Sequence, residues 1–449
     1  VTILLYSSFT IFLAFVIMQS YYILQPLFKE EKKQRGLIEK MHSFSVIVPA
    51  FNEEKVLESC IIGYCGLREQ ESELIIVNDG STDHSITMLT ELLCLTPSSR
   101  SFKKRLEHKE ITAVYESKRF PNIFVIDKRN GGKSDALNAG INFSRNDIIV
   151  TLDADSILER NSLMEMNAEF QKKNVIACGG NVLIAQAFSG HVNHLKPTFK
   201  MKGVIKFQFL QYLTAFYLHK RAQASLGAMT VIAGAFGAFR RGLLFEVGGF
   251  RETIGEDMDI TLKIQKLIKE KGCGLKISYV PSAVCYTECP ETLGDMFKQR
   301  VRWQKGFIDC LIQYRNCFFR KLPFRFSIVF IFDQFMIGTL NAFPMLAIPA
   351  MVLLNQGQLL LVLLLGSGAV FLYIYQFFTT IFISHLHGVA FRKRDILRII
   401  IFLPADIFFY RIMNLLFVAY GTLSFFYKSK SWNKLERSGK LAWKGAEKA

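Results

Sequence analysis

Ile148-Ile149-Val150-Thr151-Leu152-Asp153-Ala154-Asp155-Ser156 is the stretch from which the rest of the chain can be read. Its first five residues are apolar or β-branched, a short run typical of a buried parallel strand. The run stops on two carboxylates separated by one alanine. The same texture recurs upstream in Ser45-Val46-Ile47-Val48-Pro49, Leu74-Ile75-Ile76-Val77 and Ile123-Phe124-Val125-Ile126. Polar or helical segments alternate with these runs, which argues βαβ units and a parallel sheet. We therefore expect an α/β domain over residues 41–290. Ligands of such sheets bind at the carboxyl ends of the strands, and that is where the unusual residues lie.

After the first run comes Asn52-Glu53-Glu54, and after the second Asn78-Asp79-Gly80-Ser81-Thr82-Asp83. An acidic Gly-Ser turn suits a nucleoside, because a carboxylate accepts hydrogen bonds from a base and a ribose; the same residues also cap helices. Asn130-Gly131-Gly132-Lys133-Ser134 lacks the leading glycine of a Walker loop, since Asp127 occupies that position. A Gly-Gly turn carrying a lysine at a helix start still suits a pyrophosphate. Asp153 and Asp155 together are suited to a hard divalent ion, with diphosphate oxygens completing its shell. Gly234-Ala235-Phe236-Gly237 and Gly248-Gly249-Phe250 either floor a sugar pocket or let backbones pack closely. Gly255-Glu256-Asp257-Met258-Asp259 opens an amphipathic helix, where acids favour the positive helix end and where crowding can hold one of them as a general base. Finally, Asp295–Tyr314 reads as an amphipathic helix on a membrane surface, with Lys298, Arg300, Arg302 and Lys305 on its charged faces. In it, Trp303 can stack on a sugar and Arg302 can pair bidentately with a diphosphate.

The termini differ in character. Of 449 residues, 50% are hydrophobic and 41 are Phe, a composition that excludes disorder and points to a membrane component. Val1–Leu24 is uncharged and long enough to cross a bilayer, and Lys29, Lys32, Lys33, Arg35 and Lys40 follow it. Residues 1–40 thus read as an uncleaved anchor with a basic linker, which places the α/β domain in the cytoplasm. Residues 291–325 carry the amphipathic element and 326–427 the C-terminal membrane region, with spans at Phe326–Leu354 and Gln358–Ser384. Ile396–Tyr427 is interrupted by Pro404, Asp406 and Arg411 and has basic flanks on both sides; it reads as a broken, interfacial or re-entrant element. Residues 428–449 form a basic cytoplasmic tail. The net charge of +17 collects at membrane-flanking positions rather than in an aromatic-interleaved stripe, which argues for anionic lipid and an anionic substrate and against nucleic acid. Nine cysteines show no metal-binding spacing and suit a reducing compartment.

In order, IVPAFNEE, VNDGSTD, NGGKSDALN, DAD, GEDMD and QRVRW, from Val46 to Trp303, resemble the family 2 membrane glycosyltransferases, the processive synthases of cellulose, hyaluronan, chitin and poly-N-acetylglucosamine. The resemblance implies a Rossmann-like GT-A domain flanked by transmembrane and interfacial helices in the cell membrane, a UDP-sugar donor and a divalent cation, Mg2+ or Mn2+. It implies that Asp79 contacts the uridine and Lys133 the nucleotide or diphosphate. Asp153 and Asp155 would hold the ribose, diphosphate and metal. Asp257 would be the base, and Gln299, Arg302 and Trp303 would bracket the diphosphate and the acceptor sugar. Inversion at the anomeric carbon would give a β-linked product. Asn78 departs from the pattern, as relatives often carry a second acid there. Gly-Glu-Asp-Met-Asp-Ile-Thr and Trp432-Asn433-Lys434 look most like the poly-β-1,6-N-acetylglucosamine branch, which implies UDP-N-acetylglucosamine, a growing polysaccharide acceptor and a small membrane subunit as partners. Synthesis of another β-glycan, or a single transfer to a lipid carrier, is the alternative.

Overall fold

The computed structural model describes residues 2–28, 41–68, 71–190, 195–272, 274–347 and 359–427. The chain divides into two units.

The first unit holds the sheet. Its strands are β1 (Phe44–Ala50), β2 (Ser72–Asn78), β3 (Leu95–Pro97), β4 (Ile111–Ser117), β5 (Ile123–Lys128), β6 (Ile148–Leu152), β7 (Ser156–Leu158), β8 (Val175–Ile184), β9 (Phe236–Arg240) and β10 (Lys276–Thr287). They line up as β3-β4-β5-β2-β1-β6-β9-β8-β10-β7. The four apolar runs picked out in the sequence are β1, β2, β5 and β6, and they pair in parallel, as βαβ alternation requires. The chain winds from β1 outward through β2 to β5, then returns to place β6 on the other side of β1. The carboxyl ends of β1 and β6 therefore flank a topological switch point, the crevice in which open α/β sheets bind ligands.

β9 runs antiparallel between β6 and β8, while β10 pairs in parallel with β8. All ten residues of β8 are buried. Its Gly180 is required by packing, because a Cβ there would lie 2.1 Å from the Phe236 ring. The eight described cysteines are all free thiols. Cys285, assigned no metal by spacing, is buried in β10, and burial pushes its thiol well above the usual range.

The second unit takes in the N-terminal helix (Thr2–Phe28), Lys196–Thr230 and the described residues after Pro290. Lys196–Thr230 lies within the expected α/β stretch 41–290 but packs with the membrane helices instead. It forms the helix Gly203–Thr214, which continues as a π-turn, Ala215–His219, into Lys220–Ser225. Among the described residues, four segments are long and apolar enough to cross a membrane: Thr10–Phe28, Phe324–Ala347, Val362–Leu386 and Lys393–Tyr427. The last was expected to be broken. It is instead one helical run in which Pro404 sits inside the helix and the π-segment Asp406–Tyr410 follows at once. Such a local adjustment re-satisfies the carbonyl that a proline frees. The expected basic linker at 29–40 and tail at 428–449 lie outside the described residues.

Several polar side chains within these apolar segments pair with one another, as a low dielectric favours. The Tyr22 hydroxyl donates to Asp333 at 2.6 Å, and Gln376 donates to Gln19 at 2.8 Å. Asp406 accepts from the Tyr373 hydroxyl and lies 3.7 Å from Arg411. Met296, Phe207, Tyr410 and Phe417 form a buried cluster that seats the helix Leu293–Gln313 on these helices.

Candidate active site

In the sheet unit, β6 delivers Asp153 and Asp155 to the switch point. Asp155 is buried, and its Oδ1 accepts from the hydroxyls of Ser156 and Thr287 at 3.3 Å each. Asp153 is more open, and its Oδ1 lies 2.8 Å from the Lys133 ammonium. That ammonium also reaches Glu256 Oε1 at 2.9 Å. One lysine thus ties the end of β6 to the first turn of the helix Glu256–Lys271. Burial pushes Lys133 toward neutrality, but Asp153 and Glu256 outweigh it and raise the pKa, so the side chain is a fixed cation.

Gly234, just before β9, completes the cluster. A Cβ on it would lie 3.0 Å from Lys133 Nζ and 3.6 Å from the Asp257 Cβ. Its N–H donates to Asp257 Oδ2 at 3.3 Å, while the Met258 N–H donates to Oδ1 at 2.8 Å. The small residues at 234–238 allow the close packing that was one of their two expected roles, since Gly234 lies against Lys133 and Asp257 and Phe236–Arg240 packs as a strand. The third acid of the motif turns the other way: Asp259 is fully buried and paired with Arg251 at 2.8 Å.

Asp79, the residue expected at the uridine, directly follows β2. It is buried, and its carboxylate accepts from Lys128 Nζ at 2.5 Å, from the Gly131 N–H at 3.0 Å and from the Gly132 N–H at 2.7 Å. It therefore fixes the Gly-Gly turn that carries Lys133. Gly132, at φ +87°, opens the helix Lys133–Phe143. Lys128, fully buried and also 2.5 Å from Asp135, is a residue that sequence reasoning missed. As the last residue of β5 it reads as a surface lysine, because neither of its partners is near it in sequence.

Asn78 donates to Asp127 Oδ1 at 2.7 Å. A second acid at 78 would face that carboxylate with like charge, which accounts for the departure from the family pattern. The helix-capping reading of the adjacent turn holds as well, since the Ser85 N–H donates to Asp83 at 3.0 Å. Asn138 exchanges two hydrogen bonds of 2.9 Å with Phe250, which docks the Gly248-Gly249 turn on the lysine-bearing helix.

Gln299, Arg302 and Trp303 belong to the other unit, on the helix Leu293–Gln313, which Thr292 caps by accepting from the Asp295 N–H at 3.1 Å. Trp303 is 42% exposed, and its ring lies 6.4 Å from that of Tyr212. Arg300, expected on a charged outer face, is instead only 5% exposed and covers the Trp303 ring at 4.1 Å. The helix is embraced by its neighbours through Met296, and Gln304 donates to Thr339 and Thr422 at 3.2 and 3.0 Å.

No group of three or more metal-ligating side chains is assembled among the described residues. Asp153 and Asp155 are nonetheless hard oxygen donors at the switch point, and a cation already faces Asp153 in the form of the Lys133 ammonium. Two carboxylates fit a Mg2+ or Mn2+ ion whose remaining ligands come from a substrate and water.

Comparison with known proteins gives a consistent picture. The profile of glycosyl transferase family 2 matches residues 45–248, and that of glycosyl transferase family group 2 matches 148–383. Among curated proteins, a poly-beta-1,6-N-acetyl-D-glucosamine synthase of Staphylococcus aureus (strain COL) is 27% identical over 68% of this chain and 63% of its own length. A protein of the same name from Staphylococcus epidermidis is 28% identical over 66% of this chain and 65% of its own. The chain thus covers less than two thirds of the length of these relatives. Among solved structures, a mannosyltransferase from Pyrobaculum calidifontis, in complex with GDP-Man and Mn2+, superposes with a TM-score of 0.56 at 14% identity, over 94% of this chain and 96% of that one.

Proposed function

The chain belongs to glycosyl transferase family group 2, whose profile spans more than half of it, and from that premise we propose that it is an inverting membrane synthase that polymerises a UDP-sugar. The sheet unit has the GT-A fold. The favoured donor is UDP-N-acetylglucosamine and the favoured product poly-β-1,6-N-acetylglucosamine, extended at the cytoplasmic face of the cell membrane and passed across it. Motif order and the two synthase relatives support this choice. The observation that carries it is the convergence of Lys133, Asp153, Glu256 and Asp257 at the switch point of the sheet.

In this reading Asp257, oriented by the N–H groups of Met258 and Gly234, takes the proton of the acceptor hydroxyl. The hydroxyl oxygen bonds to the anomeric carbon as the bond from that carbon to the diphosphate breaks, so the linkage inverts. Lys133, loaded as a cation by its two carboxylates, neutralises the departing diphosphate. The Gly-Gly turn set by Asp79 holds that lysine in register. Asp153 and Asp155 would hold a Mg2+ or Mn2+ ion, which when bound supplies further positive charge against the leaving group. Gln299, Arg302 and Trp303 are assigned to the diphosphate and the acceptor sugar. Membrane lipid and a small membrane subunit complete the proposed partners.

The experiment is incubation of membranes with labelled UDP-N-acetylglucosamine and Mg2+ or Mn2+, followed by product sizing and linkage analysis. High-mass β-1,6-linked polymer is expected from the wild type, with Asp257→Asn lowering the rate by about 100-fold or more. A single sugar on a lipid would refute processivity, another donor would move the assignment to a different β-glycan, and an unaffected Asp257→Asn would remove the base.

A further inference from the structure

Lys133 has two claims on one charge. Its ammonium lies 2.8 Å from Asp153 Oδ1 and 2.9 Å from Glu256 Oε1, so two of its three N–H donors go to carboxylates. The reaction proposed above also needs that ammonium at the departing diphosphate. Asp153, for its part, is one of the two carboxylates that fit a divalent ion, and its Oδ1 is the oxygen that faces the lysine. The other, Asp155, is buried and held through the hydroxyls of Ser156 and Thr287. A monovalent cation therefore sits against the more open member of the pair suited to a metal.

The lysine is anchored at its base and partly exposed along its length. Asp79 accepts from the Gly132 N–H at 2.7 Å, which fixes the backbone just before Lys133, while the lysine side chain is 27% exposed. At the far end Nζ packs against bare backbone, where a Cβ on Gly234 would lie 3.0 Å away. Asp257 Oδ2 would lie 3.8 Å from the same Cβ, so a third acid borders the site where Asp153 and Glu256 meet this ammonium. Acids crowded in this way favour a positive charge among them. An ammonium and a divalent ion on one carboxylate nevertheless repel each other, at the short range where Coulomb energy is greatest. The two cations are alternatives at Asp153.

We propose that Lys133 is a built-in stand-in for the divalent cation, its ammonium holding Asp153 until a diphosphate draws it away, so that metal and nucleotide bind as a coupled pair. The metal alone must displace the lysine, and the nucleotide alone must pull it from two acids that are then left without their cation. Each ligand removes the other's cost, which is positive coupling and is reciprocal. The proposal rests on the reading of the chain as a metal-assisted polymerase of a UDP-sugar and is wholly contained in the sheet unit.

The test is Mn2+ binding to the full, detergent-solubilised chain, followed by electron paramagnetic resonance with and without UDP. In the wild type UDP should raise the Mn2+ affinity by about 10- to 100-fold, the usual range of coupling between sites. Lys133→Met should bind Mn2+ alone about tenfold or more tighter than the wild type, because a repelling charge is gone, and should gain less from UDP. A second measurement needs no variant: acetylation of Lys133 in the wild type by acetic anhydride, read by mass spectrometry. Saturating Mg2+ alone should speed that acetylation severalfold against NaCl of equal ionic strength, and adding UDP should suppress it. Mn2+ affinity that is equal or lower in Lys133→Met overturns the proposal, since the lysine then does not compete with the metal. Acetylation of Lys133 unchanged by Mg2+ overturns it too. Failure of UDP-sugar turnover would refute the polymerase reading alone, because these measurements need no turnover.

Discussion

Replacing Lys128 with methionine keeps the length and apolar stem of the side chain and removes one charge from the middle of the donor-side network. Lys128 has no exposed side-chain surface and sits 2.5 Å from carboxylate oxygens of both Asp79 and Asp135. Without it, two acids are left facing each other. Breaking a buried pair from one side costs about 3–5 kcal/mol. Asp135 is partly exposed and also accepts from the Lys109 N–H at 2.9 Å, so the lower end, about 3 kcal/mol, is the appropriate figure. That cost falls on the hydrogen bonds that Asp79 accepts from Gly131 and Gly132. Their amides should exchange with solvent about a hundredfold faster, following the tenfold per 1.4 kcal/mol relation. Hydrogen exchange by mass spectrometry on peptides covering 128–135 reads this directly. KM for the donor should rise as the turn carrying Lys133 loosens, and adding Asp79→Asn should recover part of the protection by removing one of the stranded charges. Unchanged exchange across 128–135 in Lys128→Met would refute the idea that this lysine fixes the turn.

Lys133→Met removes the cation shared by Asp153 and Glu256 and should lower kcat by about 100-fold, since a charged donor aimed at the leaving group is lost; donor turnover in membranes measures it. Gly180→Ala would place a methyl 2.1 Å from the Phe236 ring and should destabilise the sheet unit by about 1–3 kcal/mol, seen as earlier cleavage of β8 in limited proteolysis on heating. Burial alone would raise the Glu73 carboxyl, but Arg100, the Ser45 hydroxyl and the Arg145 N–H outweigh it and hold the pKa below the usual range. A depressed carboxyl adds stability that is present at neutral pH and fades as pH falls below about 4.3, the unfolded value. Protease resistance of the sheet unit should therefore decline through that acid window in the wild type and more gently in Glu73→Gln, and identical acid profiles would count against the Arg100 pairing.

The parallel half of the sheet was legible because each of its strands is a short, dense, β-branched run followed at once by acids or glycines. β8 and β9 were not, because Gly179, Gly180 and Gly237 dilute the strand signal while serving the packing that makes those strands possible. Lys196–Thr230 falls inside the expected α/β stretch because sequence order carries no information about which unit a buried apolar helix will join. Asp153, Lys133 and Asp257 were found by their positions after strands and at helix starts, and those positions do converge. The inward turn of Asp79 and the burial of Arg300 were missed for one reason: a charged side chain buries only when distant residues supply its surroundings, and no local pattern announces them. The break expected in 396–427 failed differently, since a π-segment accommodates the proline that seemed to forbid a continuous helix.

The bonds from Tyr22 to Asp333 and from Gln19 to Gln376 join residues made more than three hundred positions apart. During synthesis the N-terminal helix reaches the bilayer long before its partners exist. Until residue 333 emerges, the tyrosine and glutamine must be sheltered by lipid headgroups, water or the insertion machinery. A chain truncated before Gln376 leaves Gln19 without that partner, and one truncated before Asp333 strands Tyr22 as well. The N-terminal helix therefore depends, for two of its polar side chains, on segments made much later in the same chain.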